Sequence, residues 1–133
     1  MSPPLHPLHA MLLAFPLALF VSGFLFDWAY WSTTHWQWLN FAAWMNAGGL
    51  FVGAFVVLWA LVSLIRSRRR LWPAIYFGLA LVMWLLGFLN ALVHGRDAFG
   101  SMPLGLYLSS IVALLAIAAA WIGYSGRHLG DAR

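Results

Sequence analysis

The chain reads as an all-α integral membrane protein, a four-helix up-down-up-down bundle with both termini cytoplasmic. Three observations lead there. Of its 133 residues, 64% are hydrophobic and only 8% charged, more apolar surface than a soluble domain of this size can enclose. Four apolar stretches, about 10–28, 41–65, 71–94 and 103–125, have spanning length, since a hydrocarbon core of about 30 Å takes about 17–25 helical residues. Finally, Arg66, Arg68, Arg69 and Arg70 all fall in the connection between the second and third stretches, and the positive-inside rule assigns that connection to the cytoplasm. Both termini then share its side, where Arg127 and Arg133 agree. The expected setting is the bacterial inner membrane.

Each span has its own signals. Pro7 suits a first helical turn, which makes His6 the expected N-cap and His9 the third helical residue. No charged n-region precedes this span and no small-residue cleavage site follows it, so a cleaved signal peptide is not expected. Pro16 is expected to kink the helix. Trp28, Trp31, Trp36 and Trp38 crowd the first outer connection, read as a loop over 29–40, as interfacial aromatic belts do. In the second span Gly49 and Gly53 form a small-xxx-small pair. Trp72 opens the third span, which carries Asn90 and His94 four residues apart on one face. Ala116, Ala119, Ala120 and Gly123 give the fourth a slim packing face. Lipid forbids unpaired backbone, and short connections make sequential spans antiparallel, so residues 1–133 form one domain.

Several functions are excluded early. Without cysteine there are no disulfides, thiolate zinc sites, iron–sulfur clusters or covalent c-type haem. The arginine run hugs two spans and serves topology and lipid headgroup contact, so membrane lipid, and no nucleic acid, is the implied partner. No ring of acidic residues, broken helix or inverted repeat marks a transporter. Ser63, Ser109 and Ser110 lack an evident triad, and no catalytic residue is assigned.

The polar residues fall into two sets. Asp27, Asn46, Asn90 and His94 reach the outer third of the bundle, with Tyr107, Ser109 and Ser110 at the same depth. The stripe Asn46, Gly49, Gly53 can face the stripe Met83, Gly87, Asn90, His94 across the bundle. Asp27 ends its helix where the dipole disfavours a negative charge, and Arg96, His94 or His35 could supply the cation. This cluster is either an interhelical hydrogen-bond network or a ligand, quinone or haem pocket. On the inner side, His6 and His9 begin the first helix, and "WIGYSGRHLG" delivers Arg127 and His128 to the same face. Approach of His128 to that pair would suit a metal ion or a haem b whose propionates the arginine neutralises. The plain alternative is interfacial capping.

The opening "HPLHAMLLAFPLAL" (His6 to Leu19), Asp27 in "FLFDWAY" and the ending "WIGYSGRHLG" resemble a bacterial four-helix membrane family of unknown function. Its members favour His-Pro-x-His-Pro, then His-Phe-Pro and an aliphatic run, and end on a Gly-rich turn with histidine. The chain departs from that pattern at Ala10 for the second proline, Ala14 for the next histidine and Ser63 for an acidic residue. The resemblance implies a site at His6, His9, Asp27 and His128, and a loose likeness to four-helix b-type cytochromes. Such cytochromes place their ligands within the spans, whereas these histidines lie at span ends. Two functions are therefore expected: a haem b or metal-binding, quinone-linked redox component, or an accessory subunit of a larger respiratory or photosynthetic complex.

Overall fold

The computed structural model describes residues 5–96 and 100–126. Among these the protein is all helix. α1 (Pro7–Thr33), α2 (Trp36–Arg66), α3 (Leu71–His94) and α4 (Leu104–Ser125) are each long and apolar enough to cross a membrane. α1 packs beside α2 and α4, and so does α3, leaving α1 and α3 on one diagonal of a four-helix ring.

The buried positions repeat at alternating steps of three and four. They are His9, Leu13, Pro16, Phe20, Gly23, Asp27 and Tyr30 on α1, and Leu39, Ala42, Asn46, Gly49, Gly53, Val56 and Ala60 on α2. α3 repeats the pattern with Pro73, Tyr76, Ala80, Met83, Gly87, Asn90 and His94, and buries Val93 beside the last. A mean step of 3.5 residues keeps one seam inward only if the helices wrap left-handedly, the geometry of most bundles. α4 buries a wider, slimmer face that includes Ala116, Ala119, Ala120 and Gly123.

Those seams stack in layers. Leu13, Val56, Ala60, Tyr76 and Ala119 pack at the end bearing the arginine turn. Phe20, Met83, Val112 and Ala116 fill the middle. Tyr30, Leu39 and Met102 close the far end. Phe20 needs two glycines: a Cβ at Gly49 would stand 2.7 Å from its ring, and one at Gly87 would stand 3.3 Å away.

The connection between α1 and α2 differs from the loop over 29–40 that its tryptophans suggest. Both helices run through it to a corner of only Thr34 and His35. The physical reason is backbone satisfaction at the membrane edge. The Ser32 and Thr33 hydroxyls donate to the carbonyls of Trp28 and Ala29, and Thr34, at φ 58°, donates its N–H to Tyr30 O at 2.8 Å. At the opposite end Ser67–Arg70 turn α2 into α3, with the Ser67 hydroxyl bonded to Ser63 O at 2.6 Å. Pro16 is fully buried within an uninterrupted α1.

Candidate functional site

Polar side chains bridge the α1–α3 diagonal at two levels. At the arginine end, His9 Nε2 meets the Tyr76 hydroxyl at 2.7 Å, and the His9 ring stacks on Trp59 with centroids 5.0 Å apart. At the far end, His94 Nε2 meets Asp27 Oδ1 at 2.7 Å. Both bridges join residues 67 positions apart in sequence. His9 to Asp27 and Tyr76 to His94 are each eighteen residues, five helical turns and about 27 Å. Equal spacing on two parallel helices means that the same faces oppose each other at both ends.

The far-end site is the richer one. Asp27 is fully buried, with relative exposure 0%, and Asn46, Asn90, His94 and Ser109 are buried around it. Its Oδ2 accepts from the Ser109 hydroxyl, which also lies 2.7 Å from Gly105 O. Asn90 Nδ2 donates to Ser109 Oγ at 3.1 Å, and His94 Nδ1 lies 2.8 Å from the backbone carbonyl of Asn90. Asn46 stands beside this network, its Nδ2 donating to Gly87 O at 3.0 Å. The void bounded by Phe20, Gly23, Ala42, Asn46, Asn90, Ser109 and Val112 totals about 180 Å³, in seams too thin for a water molecule. As the helices stand, no quinone-sized ring enters.

Hydrogen counting defines what this cluster can do. A carbonyl only accepts, so His94 Nδ1 carries its hydrogen toward Asn90 O. The contact between His94 Nε2 and Asp27 Oδ1 then needs one proton between them. Imidazolium with carboxylate and imidazole with carboxylic acid both satisfy it, and both are neutral overall. Ser109 has one hydrogen for two acceptors. It donates to Asp27 when that oxygen is bare, and to Gly105 O when Asp27 carries a proton there.

The sequence-predicted residues divide as follows. Asp27, Asn90 and His94 come together, and Asn46 borders them. Of the three cations offered to Asp27, His94 is the one bonded to it; His35 and Arg96 are exposed. On the other side, His6 is an exposed N-cap whose Nδ1 accepts from Leu8 N at 3.2 Å. His9 is buried against Tyr76 and Trp59. Arg127 and His128, and with them the expected approach of His128, lie outside the described residues. Among the described residues no group of three or more His, Cys, Asp or Glu could hold a metal ion. Two histidines sharing an iron need ring nitrogens about 4 Å apart with the metal between, given metal–nitrogen bonds of about 2.0–2.1 Å. Both diagonal gaps are instead closed by a 2.7 Å hydrogen bond.

Sequence reasoning missed Tyr76, Trp59 and the hub position of Ser109. A signal for Tyr76 existed, since applying the Asp27–His94 offset to His9 leads to it.

Four apolar helices in a ring with polar bridges across its diagonal define a multi-pass membrane protein. The chain belongs to the family described as "Predicted membrane protein (DUF2231)", whose model matches residues 5–126. No curated protein and no solved structure matches it.

Proposed function

We propose that this is a bacterial inner-membrane protein with both termini cytoplasmic, whose function runs through a proton held by Asp27 and His94 near the opposite face. The observation that carries this reading is a fully buried carboxyl 2.7 Å from an imidazole inside an apolar bundle. Ionisable groups at such depth are costly and mark functional sites. This pair limits the cost by staying neutral overall wherever its shared proton lies. Ser109 supports proton gain and loss, because its hydroxyl reverses direction without any helix having to move.

The site is not one end of a wire. Leu13, Phe20, Met83, Val112 and Ala116 fill the space between the two bridges with apolar side chains. Exchange therefore occurs with one face only, which favours proton sensing or coupling over conduction. A haem b or metal at His6, His9, Arg127 and His128 draws less support, since His6 serves as a cap and His9 is bonded to Tyr76. Membership in a larger complex would leave the proton chemistry unchanged.

Infrared difference spectroscopy of the reconstituted protein between acid and alkaline pH tests the reading. The chain has only three acidic side chains, Asp27, Asp97 and Asp131, so assignment is tractable. A carboxyl carbonyl band that changes with pH, disappears in Asp27→Asn and shifts in Ser109→Ala is expected. A spectrum in which Asp27→Asn removes nothing would end the proposal.

A further inference from the structure

A groove of about 780 Å³ runs along the outside of the bundle between the start of α1 and the end of α2. Leu8, Leu12, Phe55, Leu58, Trp59 and Val62 form its apolar wall, and Ser63 and Arg66 stand at its arginine end. From Phe55 to Arg66 is eleven residues, about 16 Å of helix, close to one leaflet's half of a hydrocarbon core of about 30 Å. His6 adds a polar ring at the same end, 5.4 Å from Trp59.

We infer that this groove binds one phospholipid with an anionic headgroup, its acyl chain along the apolar wall and its phosphate on Arg66. Charge complementarity selects that occupant. The planar guanidinium fork matches phosphate oxygens in a way an ammonium does not. Arg68, Arg69 and Arg70 follow within one turn of chain, all exposed, and the sequence carries a net charge of +4. A zwitterionic lipid would bring its own cation into that field, and a second copy of this chain would bring a second set of arginines. The inference is independent of the proton site, which lies at the other end of the bundle.

The test uses the full chain reconstituted in vesicles containing brominated phosphatidylglycerol or brominated phosphatidylcholine at equal mole fraction. Bromine on an acyl chain in the groove quenches Trp59, whose share of the emission is obtained by difference with Trp59→Phe. Quenching of Trp59 should favour the anionic lipid by about fivefold, the equivalent of about 1 kcal/mol for one arginine near an anionic surface. Arg66→Gln should abolish that preference. Val62→Phe, which fills the groove at an exposed position without adding an emitter and leaves every arginine in place, should abolish it as well. Equal quenching by the two lipids would overturn the inference, as would a preference that survives both substitutions. Protection of Trp59 from both lipids, with a dimer in cross-linking, would assign the groove to a second copy instead and overturn it too.

Discussion

The two bridges across the α1–α3 diagonal share their helices, their faces and their 2.7 Å separation, yet they differ in chemistry. The arginine-end bridge joins a phenol to an imidazole, a hydrogen bond that needs no charge, with Trp59 stacked on the histidine. At the far end a carboxyl meets an imidazole, with a serine on its second oxygen and an asparagine behind the serine. Register alone would be served by two bridges of the first kind. The second kind adds a proton shared between two ionisable groups, and that is the feature on which the proposed function rests.

The largest expected effect comes from Asp27→Ala. Leaving His94 and Ser109 buried opposite a methyl group should cost about 3–5 kcal/mol if the pair is ionised, or about 1–3 kcal/mol if it is a neutral acid and imidazole. Denaturant unfolding in bicelles measures the loss, and its size reports which form is present.

Gly123→Ala strikes the other bridge. Its new methyl would collide with Leu13 and stand 3.2 Å from the Tyr76 hydroxyl, at an overpacking cost of about 1–3 kcal/mol. The same unfolding assay should show the loss, and Trp59 fluorescence should shift as the His9 stack is disturbed. Tyr76→Phe, which removes only a hydrogen bond, should cost about 0.6 and at most about 1.7 kcal/mol, as interhelical hydrogen bonds in membranes do. Combining Asp27→Ala with Tyr76→Phe gives the smallest quantity. Two sites about 27 Å apart on straight helices should couple by less than about 0.5 kcal/mol. A larger coupling would mean that the bridges communicate and that the apolar middle is not inert.

The fold was largely readable from the chain because lipid is a demanding solvent. Spanning length and hydropathy marked the four helices, and Asn46, Asn90 and His94 declared an inward stripe by their cost in hydrocarbon. The expectation that Asp27 ends its helix does not hold, since α1 continues to Thr33; it nevertheless offered Asp27 three cations, and the fold chooses His94. Ser109 and Tyr76 were harder to see for physical reasons: a serine hydroxyl bonded to its own helix backbone costs little in a membrane, and a tyrosine is mostly apolar ring, so the presence of either signals little. The corner at Thr34 and His35 was hidden because aromatic belts mark depth and say nothing about whether the backbone beneath them is helical.

The spacing between the bridges also bears on where the protein can reside. Eighteen residues of α1 and of α3 are pinned to one another at both ends, so neither helix can slide to lengthen or shorten the apolar belt. The lipid-facing belt outruns the interval between the bridges: on α3 exposed apolar side chains run from Leu71 to Leu92, about 32 Å of rise, close to an average hydrocarbon core of about 30 Å. A thicker bilayer must thin around it, at a cost of fractions of a kcal/mol per Å of mismatch. The adjustment falls on the lipid, which ranks membranes by thickness as hosts for this protein.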